Sequence, residues 1–399
     1  MEKSIYTENI LQISSEVNAS LAILVCIVIL FQRIAITLFG YQFSIGMIIF
    51  FVFMLFWLIK KDIQIIRERL FFFLIVFLFI IISALISSYY SKSFSVPSLV
   101  LLIGLYFWSV FAFKENVQIV ALKYFHAIML ICSIIGVLQF LTQSMGISYR
   151  DWLSFIPPQF IITNYNYSAP ITNGSFLYKS NGIIFLEPSF FSQMVALAII
   201  IEIYYYKKYW RLLILLPALL FSFSGTGLIL LAIGLLPLIF SQKWKNIILI
   251  GCILLSFLYL FYSSGFSSYT FNRINEFRMP NTSGYMRFIS PIKTYIDFTS
   301  KEGDTAKFWF GLGPGVSEDY RWNIGTYWNT VMKLIIEYGI AGLMFFSYLV
   351  FIFFSKRTFW LSLSVFLMFS VLSGSLLIAQ YVVFYYPLIL LHRRSLLRK

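Results

Sequence analysis

A carboxylate stands at the start of a predicted helix. Glu187 is followed by Pro188, within the run Lys179–Ser189 that ends Phe-Leu-Glu-Pro-Ser. Proline is favoured at the first helical position, and the helix dipole stabilises a nearby acidic side chain by about 0.3–1 kcal/mol. One interpretation of Glu187 is therefore structural. The other is chemical: at a membrane interface this carboxylate would accept the proton of a sugar hydroxyl as a general base.

Basic and glycine-rich positions further along the chain suit an anion. Arg287 precedes the run Gly311-Leu-Gly-Pro-Gly315, and Lys179, Arg273 and Arg278 are additional basic candidates. Guanidinium groups bind phosphate oxygens in pairs and keep their charge, and glycine-rich backbone adds amide donors. The alternatives remain open, because Arg287 also fits a general lipid anchor and the glycines also fit a simple turn.

A third polar group lies inside an apolar run. Lys333 and Glu337 are four residues apart and share one helical face, and Asn329 stands where that helix begins. A lone charge at mid-membrane costs about 2.5–3.5 kcal/mol on insertion scales, so such residues pair and face the protein interior. A structural ion pair capped by Asn329 is one interpretation. Support of an anion site from within is the other.

Missing motifs narrow the chemistry. The sequence contains no GxxxxGK[ST], GxGxxG or HExxH pattern, and its two histidines are His126 and His392. A phosphate-binding loop, a zinc site and a histidine base outside the membrane are therefore not expected. We expect neither a metal nor a cofactor, and the chemistry is left to carboxylates, basic side chains, tyrosines and the backbone.

The elements that position these residues are predicted to span a membrane. Of 399 residues, 60% are hydrophobic and 12% charged, with a mean hydropathy of +0.85. Soluble chains carry about 25% charged residues, so a soluble enzyme, a disordered tail and a disulfide scaffold are excluded. The net charge of +14 is attributed to membrane topology rather than to nucleic acid. Cys26, Cys132 and Cys252 each lie in an apolar run and predict no disulfide.

The predicted fold class is an all-α polytopic membrane protein with about twelve transmembrane helices and two large loops that contain short interfacial helices. A helix needs about 20 apolar residues to cross a bilayer. The candidate runs lie near 20–39, 44–59, 71–90, 96–113, 118–141, 186–206, 210–223, 226–241, 246–263, 327–354, 358–374 and 376–391.

Basic residues alternate between the short loops. Lys and Arg cluster after every second predicted span and in the C-terminal tail, whereas the intervening short turns hold only Lys92. Basic loops stay in the cytoplasm, so both termini are predicted to be cytoplasmic. The large loops 142–185 and 264–326 then lie outside, and 285–299 is predicted to be a helix on the outer interface. We expect residues 1–399 to form a single integral membrane domain.

Four patches resemble the Wzy-type polysaccharide polymerases, which make O-antigen and capsule and are related to the O-antigen ligases. The resemblance covers about 179–345 and depends on the order and spacing of the patches. They are Lys179–Ser189, the Ser-x-Ser-x-Thr-Gly turn Ser222–Gly227, Arg287 with Gly311–Gly315, and the span that carries Asn329, Glu337, Gly339 and Gly342.

Two positions depart from the family pattern. The ligase branch has a His-Asn pair at this span, but here Trp328 precedes Asn329. The departure favours polymerisation over ligation. The family often has arginine in the Ser-x-Ser turn where this chain has Gly225. One contact to the diphosphate is therefore expected either to be missing or to come from Lys179, Arg273 or Arg278.

The resemblance implies an inverting, metal-independent glycosyltransferase of the bacterial cytoplasmic (inner) membrane. Its partners would be undecaprenyl-diphosphate-linked glycans, membrane lipids and possible chain-length regulators, without nucleic acid. Glu187 and Arg287 are the implied catalytic residues. The diphosphate would bind Lys179, Arg273, Arg278 and Arg287, with support from Asn329, Lys333 and Glu337.

Two other functions stay open. An O-antigen ligase moves the finished glycan to another acceptor, and the missing histidine disfavours it. A lipid-linked oligosaccharide flippase also has about twelve spans, but it is expected to line a cavity with charges from several spans. Transporters often show inverted repeats, and none is evident in this sequence.

Overall fold

The computed structural model describes residues 15–38, 41–91, 93–114, 117–172, 174–236, 278–280, 282–302, 305–318, 326–354 and 359–391, with isolated residues between 248 and 263. The chain divides into two compact units. The first unit comprises Met1–Phe53 and Gln118–Ile274, and the second comprises Met54–Val117 and Asn275–Lys399. The single integral membrane domain expected from the sequence remains a prediction.

The described secondary structure is mostly helical. The helices are α1 (Ser15–Leu30), α2 (Ile45–Ile59), α3 (Arg67–Ser88), α4 (Val96–Phe107), α5 (Gln118–Ser144), α6 (Pro188–Ile201), α7 (Leu212–Phe221), α8 (Gly225–Leu235), α9 (Ser283–Phe288), α10 (Ser290–Glu302), α11 (Thr305–Phe310), α12 (Thr330–Phe353), α13 (Phe359–Leu367) and α14 (Ala379–Tyr385). One π-helical turn extends each of α6, α13 and α14, through residues 206, 372 and 390 respectively.

Four segments are long and apolar enough to cross a membrane: Arg67–Ser88, Gln118–Ser144, Pro188–Tyr206 and Thr330–Phe353. Seven shorter apolar helices coincide with seven other predicted spans. The predicted span 246–263 lies mostly outside the described residues. A membrane protein is therefore supported, whereas a count of twelve spans remains a prediction.

The first predicted span, 20–39, is wrong beyond residue 30. Helix α1 ends at Leu30, and strands β1 (Ala35–Leu38) and β2 (Tyr41–Ser44) form an antiparallel hairpin. The β-branched residues Ile36 and Thr37 suit a strand, and the composition of the apolar run alone does not distinguish it from helix.

A second hairpin qualifies the all-α prediction. Strands β3 (Ile63–Ile65) and β4 (Phe111–Phe113) pair antiparallel, so the predicted span 96–113 is helical only to Phe107 before a 3-10 turn. Next to this hairpin the buried guanidinium of Arg69 donates to the carbonyl oxygens of Ser109 and Leu390 at 3.2 and 2.6 Å. The sequence assigned Arg69 to a basic loop. In the structure it lies in the first turn of α3.

In the first unit, α6 is the most enclosed helix. Every residue of α6 except Ser189 is buried, and the helix packs against α5, α7 and α8. The approach to α8 depends on a glycine, because a Cβ at Gly227 would lie 2.6 Å from the Ser192 side chain. This packing fixes the start of α6, where Glu187 stands.

In the second unit, α12 packs against α3 and α11. The helix is kinked at Gly339, whose φ of 55° and ψ of −128° are not helical. A Cβ there would lie 2.2 Å from the carbonyl oxygen of Trp309, so only glycine allows this approach of α11 to α12. The kink lies two residues after Glu337, the acidic residue that the sequence singled out on this helix.

Candidate functional site

Glu187 is the residue that precedes α6. Its backbone is extended, and its carbonyl oxygen accepts the N–H groups of Phe190 and Phe191 at 3.2 Å. Pro188 occupies the first helical position, as the sequence predicted. The half-buried carboxylate does not cap the helix but accepts a hydrogen bond from Ser189 Oγ at 2.9 Å. The predicted position at the helix start is therefore confirmed, and the role of the Glu187 side chain as a base remains a prediction.

The segment that leads to Glu187 is held by backbone hydrogen bonds. The Lys179 N–H donates to the Ala169 carbonyl at 2.9 Å, and the Ser180 N–H donates to the Phe221 carbonyl at 2.9 Å. The Lys179 side chain is half-buried. The predicted basic residue thus lies on a fixed backbone in the same unit as Glu187.

The serine-rich turn Ser222–Gly227 packs against the start of α6. Thr226 Oγ1 donates to the Ser189 carbonyl at 3.4 Å and hydrogen-bonds Ser224 Oγ at 3.0 Å. Phe223 adopts a φ of +45°, which closes the turn between α7 and α8. The first two sequence patches, joined by a hydrogen bond between residues 37 apart in sequence, are therefore neighbours within this unit.

Arg33 and Asp151 form an ion pair that the sequence did not predict. Arg33 Nη1 and Nη2 donate to Asp151 Oδ1 and Oδ2 at 2.9 and 2.5 Å. The Arg33 guanidinium lies 3.9 Å from the centre of the Tyr167 ring, and only 2% of the residue is exposed. The sequence places Arg33 within the predicted first span, 20–39. It instead follows the end of α1 and pairs within the protein.

The ion pair changes the titration of its neighbours. Burial raises the pKa of the Asp151 carboxyl, but the hydrogen bonds from Arg33 and the Leu153 N–H and the Arg33 charge hold it below its ordinary value. Burial raises the pKa of Tyr167 to about 12; the Arg33 charge opposes this, and the charges of Asp151 and Glu187 add to it. Glu187 therefore lies within electrostatic range of this cluster.

In the second unit, a buried charged cluster lies at the start of α12. Asn329 caps the helix, since its Oδ1 accepts the Met332 N–H at 2.9 Å, which confirms the predicted cap. Lys333 Nζ lies 3.7 Å from Glu337 Oε1 and 3.0 Å from Glu318 Oε1. The predicted Lys333–Glu337 pair is present, but Glu318 is the closer partner of Lys333.

Glu337 is completely enclosed. Its Oε1 accepts a hydrogen bond from Ser317 Oγ at 2.5 Å. Its Oε2 is buried and has no hydrogen-bond partner in the described part of the chain. Two carboxylates, of Glu318 and Glu337, share the Lys333 ammonium among the described residues.

The glycine-rich patch lies directly on the Glu337 segment. The Leu312 and Gly313 N–H groups donate to the carbonyl oxygens of Ile336 and Glu337 at 2.8 and 2.9 Å. Gly311 has a φ of +70°, and a Cβ there would lie 2.5 Å from the Glu337 backbone. The third and fourth patches are therefore also neighbours. These two amides bind backbone rather than an anion, so the structural interpretation of the glycines is confirmed for this part of the run.

Arg287 lies on α9, next to the residues that precede α12. Its guanidinium is 5.9 Å from the centre of the Tyr327 ring, and the Tyr327 N–H donates to the Met286 carbonyl at 2.9 Å. Arg278 is exposed in the turn before α9. Arg273 lies outside the described residues. Arg287 and Asn329 are thus parts of one local arrangement.

The predicted interfacial helix is two helices, α9 and α10, that meet at Ile289, and Pro291 lies in the first turn of α10. Thr294 is buried and hydrogen-bonds the hydroxyl of Thr326, whereas Ile292 and Ile296 are about half exposed. Thr294 therefore faces the protein, whereas Ile292 and Ile296 face outward together with the charged Lys293 and Asp297. A mixed apolar and charged outer face suits a helix at a membrane interface.

A further polar cluster in the first unit was not predicted. Glu202 is fully buried, with His126 Nε2 at 2.8 Å and Arg211 Nη1 at 3.2 Å. The available signal was an acidic residue and a histidine within two apolar runs, because ionisable residues there pair. No such local signal links Arg33 to Asp151, which is 118 residues away.

Known proteins and metal chemistry add little to this site. No family model, curated protein or solved structure matches the chain. No group of three or more His, Cys, Asp or Glu side chains that could hold a metal ion occurs among the described residues.

Proposed function

We propose that the chain is a glycosyltransferase that polymerises lipid-linked oligosaccharide repeat units, as its resemblance to the Wzy-type polymerases implies. One observation carries the proposal: the motif patches pack in pairs, Lys179–Ser189 with Ser222–Gly227 and Gly311–Gly315 with Asn329–Gly342. Segments chosen only for their likeness to one family are thus neighbours in the fold. The proposed site of action is the outer face of a bacterial cytoplasmic membrane.

In the proposed reaction, a hydroxyl of one lipid-linked repeat unit attacks the anomeric carbon of the growing chain on undecaprenyl diphosphate. The new glycosidic C–O bond forms as the bond from that carbon to the diphosphate breaks, and the anomeric configuration inverts. The hydroxyl proton passes to a base, and undecaprenyl diphosphate leaves with the bonding electron pair.

Glu187 is the proposed base. Its carboxylate is only half-buried, with Ser189 Oγ as a hydrogen-bond partner that fixes the orientation of Oε2. A general base must lie within about 2.6–3.2 Å of the proton-bearing oxygen and typically contributes 10²–10⁴-fold in rate. Among the acidic residues predicted for the site, Glu187 is more accessible than the fully buried Glu337.

Arg287 and Arg278 are the proposed ligands of the diphosphate. The leaving group gains negative charge in the transition state, and fixed guanidinium groups stabilise that charge without a metal. Arg287 is partly exposed beside Tyr327, and Arg278 is exposed, so both are accessible to a headgroup. Lys179 and Arg273 remain proposed additional ligands on the strength of the family resemblance.

Lys333, Glu337 and Asn329 are proposed to support the site rather than to contact substrate. Glu337 is inaccessible and Lys333 is 8% exposed, and Asn329 is occupied as a helix cap. These residues fix the entry of α12 and, through Gly313, the glycine-rich run. Their expected effect is on folding and on the position of neighbouring groups.

A flippase is the second candidate. A candidate span that is broken at Gly339, two residues after a buried carboxylate, is typical of transporters, where unwound helices bind ions or substrate. A ligase is the third, and Trp328 disfavours it. This residue stands in place of the ligase histidine, is buried, and donates its indole N–H to the Ser317 carbonyl at 2.6 Å.

Reconstitution into vesicles with a labelled lipid-linked repeat unit separates the three functions. A ladder of chain lengths that persists with a metal chelator supports polymerisation. Movement of label across the bilayer without chain growth would identify a flippase, and transfer of glycan to a different acceptor would identify a ligase. A Trp328→His variant tests the last alternative further, because it restores the ligase pattern beside Asn329.

A further inference from the structure

The backbone just before Glu187 has an uncommon conformation. Gly182 and Ile183 have φ values of +59° and +69°. Glycine adopts this region readily, but a β-branched side chain is strained there and stays only if its surroundings fix it. The turn is followed at once by Phe185 and Leu186, which are fully buried, and then by Glu187.

Two side chains fix the strained residue. The Ile183 N–H donates to Asn181 Oδ1 at 2.9 Å, and the Ile183 carbonyl accepts a hydrogen bond from Arg33 Nη1 at 2.9 Å. Asn181 is itself held by Gln139 Nε2 at 3.1 Å. Both backbone polar groups of Ile183 therefore depend on buried side chains, one from the neighbouring Asn181 and one from Arg33, 150 residues away in sequence.

Arg33 makes three contacts at the same time. It donates to both carboxylate oxygens of Asp151, it donates to the Ile183 carbonyl, and it lies over the Tyr167 ring. The planar guanidinium has enough fixed donors for this, whereas a lysine ammonium does not match the paired oxygens or the ring face. Asp151 in turn fixes the orientation of the guanidinium.

The cluster of Arg33, Asp151 and Tyr167 also interacts electrostatically with Glu187. The charge of Glu187 contributes to the raised pKa of Tyr167, whose ring lies under Arg33. Only Ile184, Phe185 and Leu186 separate Ile183 from Glu187 along the chain. A displacement of Ile183 is therefore passed to the Glu187 backbone through three residues, two of which are packed in the core.

We propose that the Arg33–Asp151 pair is a positioning device that holds the Gly182–Ile183 turn and thereby sets the place of the Glu187 carboxylate. The meaning of that placement for catalysis depends on the proposed polymerase function; the mechanical link does not. Arg33, Asp151 and Asn181 are positioning residues, because they act through the turn and not on the substrate.

The first measurement is hydrogen exchange by mass spectrometry on the full chain in detergent, for Arg33→Lys and Asp151→Asn. We expect amide exchange in residues 180–187 to accelerate by about tenfold or more, because local opening exposes amides without global unfolding. Exchange in α6 and the melting temperature should change little. Arg211→Gln is the matched control, because it removes another guanidinium–carboxylate contact of the same unit, to Glu202.

The second measurement is the initial rate of chain growth with the lipid-linked repeat unit. Arg33→Lys and Asp151→Asn should each lower kcat about tenfold or more per folded protein, because small displacements of a catalytic group are costly. KM should stay within about twofold. Asp151→Glu, which keeps the charge, should recover part of the rate, and Arg211→Gln should retain the parental rate.

The two measurements test different claims, so that either claim can be wrong while the other stands. If the variants exchange faster in residues 180–187 but the parent chain does not polymerise repeat units, the Arg33–Asp151 pair still positions the turn and the proposed polymerase function is wrong. If amide exchange in residues 180–187 of both variants equals that of the parent, the pair does not position the turn, whatever the rates of chain growth. The device is also overturned if exchange increases equally throughout the first unit, because the pair then contributes only general stability.

Discussion

Two carboxylates that the sequence singled out, Glu187 and Glu337, have contrasting environments. Glu187 precedes a helix, is half-buried and has a serine hydroxyl as partner. Glu337 lies within a helix, is fully buried and shares Lys333 with Glu318. A base must reach solvent or substrate, whereas a buried charge must be compensated. The contrast supports Glu187 as the proposed base and Glu337 as a proposed structural residue.

The positively charged partners differ in the same way. Arg33 and Lys333 are almost completely buried and are committed to Asp151 and Glu318. Arg287 lies partly exposed beside an aromatic ring. Burial therefore separates basic residues that hold the fold from basic residues that are accessible to a phosphate.

Glu187→Gln is expected to have the largest effect on activity. The amide keeps the size and the Ser189 contact but does not accept a proton at neutral pH, so chain growth should fall about 10²–10⁴-fold. The ladder of chain lengths in reconstituted vesicles measures this. Ser189→Ala is the control and should cost far less. Normal chain growth by Glu187→Gln would remove its role as base.

Lys333→Met is expected to have the largest effect on stability. The change leaves the buried Glu337 carboxylate without its ammonium, and loss of one partner of a buried pair costs about 3–5 kcal/mol. Thermal unfolding in detergent measures this. The double variant Lys333→Met/Glu337→Gln should recover most of the loss, since no uncompensated charge remains. Equal loss in both variants would show that the charge is not the cause.

Arg287→Ala should weaken binding of the lipid diphosphate. A hydrogen bond to a charged group contributes about 1.5–3 kcal/mol, which corresponds to about a 10–100-fold fall in kcat/KM for the donor. Arg287→Lys should give an intermediate kcat/KM because it keeps the charge without the paired donors. If Arg287→Ala leaves kcat/KM unchanged but destabilises the protein, the residue is only an interfacial anchor.

Gly339→Ala tests whether the break in α12 is required. A Cβ would lie 2.2 Å from the Trp309 carbonyl, at a φ of +55°, and a residue forced into such a conformation costs of the order of 1–3 kcal/mol. The melting temperature should fall accordingly. Gly104→Ala on α4 is the control, because a Cβ there meets nothing within 4 Å, and it should be neutral or stabilising.

Asp151→Asn is expected to have the smallest effect on global stability, and its mark is a weaker dependence of that stability on pH in acid. The pKa of Asp151 is lowered in the folded state, so its contribution to stability is complete above its unfolded pKa of about 3.9. That contribution disappears as the pH falls from this value through the folded pKa. The parent should lose stability over this range more steeply than Asp151→Asn. Parallel acid curves would contradict the lowered pKa.

Local patterns predicted the helices and their caps well. The Glu-Pro signal placed the start of α6, and Asn329 was expected and found as a cap. Spacing by four placed Lys333 and Glu337 on one face. Each of these features depends on residues within one helical turn, where sequence order and spatial neighbourhood nearly coincide.

Long-range features were not predictable. Strand β1, Ala35–Leu38, continues the apolar run of the helix before it, and pairing with β2 distinguishes the two. The partner of Arg33 is 118 residues away in sequence, and Glu318, 15 residues from Lys333, lies closer to its ammonium than Glu337 does. Composition indicates that a buried charge needs a partner, but tertiary packing decides which one it receives.

The account depends most on the side of the membrane to which the segments that bear Glu187 and Arg287 are exposed. The direct measurement is labelling of single cysteines, placed at exposed residues 155 and 283 in a cysteine-free chain, by an impermeant thiol reagent in intact cells. We predict that both positions react from outside, whereas a cysteine at exposed residue 208 reacts only after permeabilisation. If either 155 or 283 requires permeabilisation, the proposed polymerase is wrong.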